Sequence, residues 1–341
     1  MRKVILYLLV NLVVISGASL STKGQDARFS QYFTTPHLVN PAFTSMFKGD
    51  YQVMLNYRSQ WGGIAEVPYR TVAAAADAKI YAGFADCDYI GLGVNFLADR
   101  AGALNYGTMQ ANLTGAYFKS LNGYANNYLS LGFSGGIAQR FLDYDPEAFL
   151  DGPETFAAQQ FSYFDISTGL LWTYFPEEGL NVYAGVAMFH VNEPDLSHFV
   201  SSRQFFGGEA ALPRRYVMHA GGSLPLGDVF RIRPSFQFMT QGPSREFDIG
   251  AMFQMLTSHP LAKKKGEDNS IYLGAFYRNG DAVIAAARLD YQGYYLTMSY
   301  DIGVSNLNQA GQPASLEISI AKSLFRNNRP SCPSPLSCPV L

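Results

Sequence analysis

The chain has 341 residues, of which 48% are hydrophobic, 14% aromatic and only 15% charged, and its formal net charge is −2. This charge gives no electrostatic case for a nucleic-acid partner. Beyond the first residues, no stretch offers the roughly 20 consecutive apolar residues of a membrane helix, so a helical membrane protein is excluded.

Residues 1–24 are predicted to be a cleaved signal peptide. Arg2 and Lys3 form a positively charged start, and residues 4–18 are mostly apolar but too few to span a bilayer as a helix. Small residues follow, which places cleavage near Gly24, with a site just after Ala18 as the alternative. The protein is therefore expected to be exported.

Residues 25–50 are predicted to be irregular. The stretch FSQYFTTPHLVNPAFTS, residues 29–45, contains four aromatic residues and two prolines but has neither helical nor strand periodicity. It is therefore not counted among the strands.

Residues 51–325 are predicted to form an all-β fold, a transmembrane antiparallel up-and-down β-barrel. The alternation is clearest near residue 298, where Leu296, Met298 and Tyr300 share one face and Thr297 and Ser299 the other. Apolar residues at every second position suit strands that separate lipid from a lumen. Fourteen strands are predicted, at 51–60, 69–80, 88–99, 104–119, 127–141, 162–175, 180–190, 214–225, 230–241, 245–256, 270–279, 281–291, 293–303 and 314–325.

An even number of strands places both ends of the barrel domain on the periplasmic side. The two longest connections, 142–161 and 191–213, then face outside, while the loop 257–269 with its three lysines faces the periplasm. The tail, residues 326–341, is predicted to be irregular and periplasmic. Its prolines and its lack of periodicity argue against another strand.

Charged residues of both signs are predicted to face the lumen, because a Lys or Arg on the lipid face costs roughly 2–4 kcal/mol near the midplane. Mixed signs favour a network that fills the barrel over a single-sign selectivity ring, so a wide open pore is not expected. The lumenal set includes Arg58, Arg231, Arg233, Asp248, Arg278, Arg288 and Glu317.

The long outer loops leave two alternatives open. Acidic residues between Asp143 and Glu154 match a calcium-loop spacing, but Ala148 stands where such a loop needs glycine, so a solvated acidic loop is the alternative. The apolar pair Phe205 and Phe206 is predicted to contact a client protein or, alternatively, to pack over the barrel mouth.

Three cysteines, Cys87, Cys332 and Cys338, map to the predicted periplasmic side. The periplasm is oxidising, so one disulfide is plausible. A bridge between the two tail cysteines, a bridge from Cys87 to the tail, and an inert thiol all stay open.

No catalytic or cofactor-binding pattern is present in the sequence. No Ser/His/Asp order with a nucleophile elbow occurs, and Gly91–Gly93 lies in a strand without a phosphate-binding helix after it. His190 and His198 have no fixed metal-ligand spacing, which favours a structural role for the HVNEP corner at residues 190–194. We expect a protein that is not an enzyme and holds no cofactor or metal.

Several separated motifs resemble the PorP/SprF family of outer-membrane proteins of the type IX secretion system. They are FSQYFTTPHLVNPAF (29–43), NYRSQWGGI (56–64), HVNEP (190–194), PRRYVMHAGGSLPL (213–226), YRNGDAVI (277–284) and SYDIGVSNL (299–307). The resemblance implies a non-enzymatic barrel in the outer membrane, either linked to periplasmic ring and motor proteins or dedicated to a large surface protein such as a gliding adhesin. Within the first motif it marks Phe29, Ser30, Gln31, Tyr32, Asn40 and Pro41 as partner-binding or structural residues.

These observations give two hypotheses for the irregular segment and two for function. The segment either folds back into the periplasmic mouth of the barrel, with Phe29, Tyr32, Phe33 and Phe43 buried, or is a periplasmic linker. The protein is expected to be a platform that binds secretion components and a secreted or surface client in the outer-membrane bilayer. The alternative is a channel or transporter for a small solute.

Overall fold

A computed structural model describes residues 26–62, 67–80, 87–102, 106–122, 126–141, 160–176, 180–196, 211–257, 269–304 and 314–325. None of the helices in these ranges has the length and apolar character of a membrane span.

Within these ranges, fourteen antiparallel strands close into a barrel in which each strand pairs with its neighbours in sequence and β1 pairs with β14. The predicted barrel is confirmed. The strands are β1 Tyr51–Gln60, β2 Tyr69–Ile80, β3 Tyr89–Ala101, β4 Tyr106–Ser120, β5 Asn127–Phe141, β6 Gln160–Tyr174, β7 Asn181–Phe189, β8 Arg215–Leu226, β9 Phe230–Gln241, β10 Ser244–Leu256, β11 Ser270–Arg278, β12 Ala282–Tyr291, β13 Tyr294–Gly303 and β14 Ala314–Leu324.

The strands alternate between an exposed apolar face and a buried, mostly polar face. In β12, for example, every second residue is buried, with Arg288 and Asp290 on the inner face and Leu289 and Tyr291 on the outer face. This period follows from the pleat, which points successive side chains to opposite sides of a sheet. The outer face therefore suits lipid, and the inner face encloses a lumen.

The tight hairpin between β12 and β13 uses two residues with left-handed backbone conformation. Gln292 and Gly293, between β12 and β13, have φ values of 49° and 76°. Two consecutive positive φ values are typical of the two-residue turns that match the twist of paired strands.

The N-terminal segment, Asp26–Asp50, lies inside the barrel. It contains short helical turns at Tyr32–Thr34, Pro36–Val39 and Pro41–Phe43, and most of its residues are buried. We call the end at which β1 begins and β14 ends the base, and the opposite end the far end.

The segment runs along the height of the lumen rather than only into its mouth. Asp50 lies at the base, where its backbone N–H donates to the Leu324 carbonyl, whereas Asp26 contacts Arg215 at the start of β8, at the far end. The segment that was predicted to fold back into the mouth of the barrel therefore extends through the lumen to the far end.

Candidate functional site

The candidate functional site is the contact between the N-terminal segment and the lumenal face of the strands. Its first anchor is the pair Ser30 and Gln31, whose backbone N–H groups both donate to the Glu317 carboxylate, at 2.7 and 3.2 Å. The Gln31 side chain donates to the Glu317 carbonyl at 2.9 Å and accepts from the Ser319 hydroxyl at 2.9 Å. Ser30, Gln31 and Glu317 are all fully buried, so these bonds are shielded from water.

A network of buried charges surrounds this anchor. Arg58 forms an ion pair with Asp301 at 3.1 Å, and its Nε lies 4.0 Å from Glu317. Arg278 pairs with Asp248 at 3.1 Å and donates to the Ser30 hydroxyl at 3.0 Å. Buried charges are tolerated only when they are paired and hydrogen-bonded, and this network meets that condition through groups from both the barrel and the segment.

Aromatic side chains of the segment pack against aromatic residues of the barrel wall. Phe33 stacks on Phe276 with ring centroids 5.1 Å apart, and Tyr32 meets the same ring edge-on at 5.9 Å. The Tyr32 hydroxyl bonds with that of Ser235 at 2.7 Å. The four predicted aromatic residues, Phe29, Tyr32, Phe33 and Phe43, are all buried.

Asn40 fixes the second half of the segment. Its side-chain oxygen accepts from the Ala42 N–H at 2.8 Å, which caps the turn that begins at Pro41. Its amide nitrogen donates to the Leu170 carbonyl on β6 at 3.1 Å and lies 2.9 Å from Nε2 of His219. Asn40 is fully buried, so one side chain both shapes the segment and attaches it to the wall.

Glycines on the inner face make room for the segment's backbone. A Cβ added at Gly132 would overlap the backbone of Pro41 and Ala42, and one at Gly169 would overlap the Asn40 side chain. Small lumenal residues thus define a groove for the turn that Pro41 begins. These glycines were missed by sequence reasoning, because glycine in a strand indicates close approach of another backbone without identifying it.

The structure places the remaining predicted site residues as follows. Arg231 and Arg233 lie on the lumenal face of β9, opposite Gln254 and Met252 of β10. Arg288 is buried and pairs with Asp290 at 2.6 Å. Phe205 and Phe206, the acidic loop, the three loop lysines, His198, Cys332 and Cys338 lie outside the described residues.

At the far end of the barrel, the HVNEP corner holds the start of the segment. His190 Nε2 lies 2.7 Å from Asp26 and its Nδ1 lies 2.9 Å from Asp165, while Arg215 pairs with Asp26 at 3.0 Å. The Asn192 side chain accepts from the Ile166 N–H at 3.1 Å, which continues the contact of the corner with β6.

The electrostatics of this anchor favour the charged forms of both His190 and Asp26. Burial lowers the pKa of His190, but attraction to Asp26 and hydrogen bonds to Asp165 and Asp26 outweigh it and raise the pKa to about 9. Burial opposes the charge on Asp26, but His190 and Arg215 hold the pKa of that carboxyl below its ordinary value. Both groups flank the strands and belong to none of them.

We expect the anchor to weaken in alkaline solution. A histidine whose pKa rises on folding stabilises the fold fully below its ordinary value near 6.5 and loses that contribution as the pH rises through about 9. The thermal midpoint should therefore fall between pH 7 and 10 by several degrees more in the wild type than in His190→Gln. Parallel pH curves for the two proteins would contradict this prediction.

A family model for the type IX secretion system membrane protein PorP/SprF matches residues 21–321. The chain belongs to the PorP/SprF family. The buried anchors from Ser30 to Pro41 and the HVNEP corner thus lie within the PorP/SprF match, and so does the whole lumen apart from the last residues of β14.

Solved structures similar to this PorP/SprF chain are barrels with little sequence identity to it. The toluene transporter TbuX of Ralstonia pickettii has 9% identity and a TM-score of 0.49, with coverage of 86% of this chain and 94% of that one. A Pseudomonas aeruginosa FadL homologue has 9% identity, a TM-score of 0.48 and coverage of 85% and 94%. The CymD monoaromatic hydrocarbon channel has 13% identity, a TM-score of 0.48 and coverage of 89% and 96%. A search of curated proteins gives no match.

Proposed function

We propose that this PorP/SprF barrel is a non-enzymatic protein-protein platform of type IX secretion, and that the N-terminal segment is a plug that keeps its lumen closed. The observation that carries the proposal is the seating of Ser30 and Gln31, fully buried, on Glu317 of the barrel wall. A lumen occupied in this way does not suit passive diffusion of solutes. Partners then have the two ends of the barrel and its loops available for binding.

The network of charges supports a closed lumen over an ion-conducting one. Arg58 and Arg278 each form ion pairs with carboxylates of both neighbouring and more distant strands. Paired charges that also bond to the segment leave little free charge to line a path for ions. Within the described residues, the small-solute channel is therefore the less supported function.

The proposal assigns different partners to the two ends. The far end, with the long loops 142–161 and 191–213, would face a secreted client or surface adhesin, and Phe205 and Phe206 would contact it. The base, with the lysine-containing loop, would face periplasmic components of the secretion machinery. This orientation assumes export by a signal peptide, residues 1–24, and both chain ends in the periplasm.

Co-purification in a gentle detergent tests the platform function. We expect the tagged wild type to bring down a large secreted or surface protein together with secretion components. The variant Phe205→Ser/Phe206→Ser should recover several-fold less client than the wild type. It should retain the periplasmic components, because only the far end is altered. A control at the exposed β8–β9 turn, Asp228→Ser, lies at the base and should retain the client.

One result would overturn the platform proposal, and another would overturn only the predicted client contact. One is a wild-type protein that purifies without partners and conducts ions in a planar bilayer, which would favour the channel. The other is equal recovery of the client with both variants, which would remove the two phenylalanines from the interface.

A further inference from the structure

A polar cavity lies between the N-terminal segment and the inner faces of β3 to β8. Its volume is about 140 Å³, enough for roughly ten water molecules or one small metabolite. The segment forms one side of it through Asp26, His37 and Leu38, and the strands form the rest. The cavity is thus complete only when the segment is seated.

Most charges around the cavity are already committed to each other. Asp26 pairs with His190 and Arg215, and Asp165 pairs with His190. These four groups form the anchor described above and need no further counter-ion.

Arg140 and Asp99 differ from those groups. Within the described residues, neither forms a direct ion pair with a protein group: the Arg140 guanidinium contacts the Tyr106 hydroxyl at 3.2 Å, with Asp26 as a more distant charged neighbour, and Asp99 accepts from Thr71 at 2.6 Å. Arg140 is nevertheless buried. A buried guanidinium whose direct hydrogen-bond partners are neutral hydroxyls is costly unless an anion or water completes its shell.

The strand register places Arg140 and Asp99 on the same side of the barrel, with one residue of the intervening strand β4 between them. Thr108 of β4 is the Cα partner of both Asp99 on β3 and Arg140 on β5. Two strand spacings put the backbones of the charged residues about 10 Å apart. A cation and an anion therefore face the same cavity at a separation that a small molecule can bridge.

Part of the surface of the cavity is apolar. Leu38, Leu97 and Phe189 line it and are largely buried among the segment and the strands. The cavity thus contains a cationic group, an anionic group and an apolar surface.

We propose that this cavity binds a small zwitterion of the α-amino-acid class. Arg140 would bind the carboxylate of the ligand, and Asp99 would bind its ammonium group. The apolar surface formed by Leu38, Leu97 and Phe189 would contact its side chain. A neutral sugar would form an ion pair with neither group, and a simple anion or cation would pair with only one of them. The inference rests on the geometry of the lumen and is independent of the proposed platform function.

Isothermal titration calorimetry on the full chain in detergent tests the proposal, with leucine and glutamine as probes. We expect saturable binding of at least one probe, and at least about tenfold weaker binding of leucinamide, 4-methylpentanoate and glucose, because each lacks one or both charges. Arg140→Gln and Asp99→Asn should each weaken binding of the zwitterion by about tenfold or more.

Arg100→Gln is the matched control, since Arg100 adjoins Asp99 but is exposed on the other face of β3, and it should bind like the wild type. Ser134→Phe, which fills the cavity, should abolish binding and decides the matter if a charge variant fails to fold. Absence of saturable binding by either amino acid, glucose binding as tight as leucine binding, or unchanged affinity in both charge variants would overturn the proposal.

Discussion

Replacing Gly132 with leucine should expel the N-terminal segment from the lumen and convert a closed barrel into a conducting one. A side chain at this position would occupy the space of the Pro41 and Ala42 backbone. Backbone cannot rotate away as a flexible side chain can, and overpacking of this kind costs typically about 1–3 kcal/mol. The expected result in a planar bilayer is a rise from near-zero conductance to stable single-channel steps.

Gly135→Leu is the matched control, because Gly135 lies on the outer face of the same strand and a Cβ there meets only the Phe164 ring at 3.5 Å. It should fold and stay closed. A variant that lacks residues 26–47 should have a single-channel conductance at least as large as that of Gly132→Leu. Since a barrel that fails to fold also conducts nothing, heat-dependent migration on gels must first show folded barrels. Folded but silent barrels in both the deletion and Gly132→Leu would mean that the segment is not a plug.

The barrel itself could be predicted because its signal is local. A strand between lipid and lumen must alternate, so a window of about ten residues such as β12 is sufficient to identify it. The placement of lumenal charges follows from the same period, and this is why Arg58 and Glu317 could be assigned to the inner face from sequence alone.

The contacts of the segment could not be predicted because they are non-local. Ser30 bonds to Glu317, which is 287 residues away in the chain, and no periodicity connects the two. The alternation predicts that Arg231 and Arg278 face the lumen, but it does not indicate which groups they contact. Arg278 does contact Ser30, but a carboxylate, Glu317, receives the backbone N–H groups of Ser30 and Gln31.

The direction and extent of the segment also escaped sequence reasoning. The prolines indicate an extended, irregular chain, but they do not indicate how far the segment extends along the lumen. The anchor at the far end depends on His190, which has a positive φ of 56° at the HVNEP corner. The lack of a metal-ligand spacing favours a structural role for that corner, but only the structure shows that it holds Asp26.

Glu317→Gln should destabilise the protein more than any other single change of charge within the network, by about 3 kcal/mol or more. The carboxamide keeps the shape of the side chain, so no cavity forms. It does replace one acceptor oxygen with an NH₂ group, which then faces the backbone N–H of Ser30 or Gln31. It also removes the negative charge that lies 4.0 Å from Arg58.

The matched control is Glu193→Gln, which makes the same chemical change in an ion pair with Arg214 whose side chains are 47% and 41% exposed. Water screens such a pair, so its loss should cost at most about 1 kcal/mol. Urea unfolding of both variants in lipid vesicles gives the two free energies of unfolding directly. Equal losses would mean that Glu317 does not hold the segment in place. A large loss confined to Glu317→Gln, together with protease cleavage of residues 26–50 in the folded barrel, would identify this carboxylate as the main anchor of the segment.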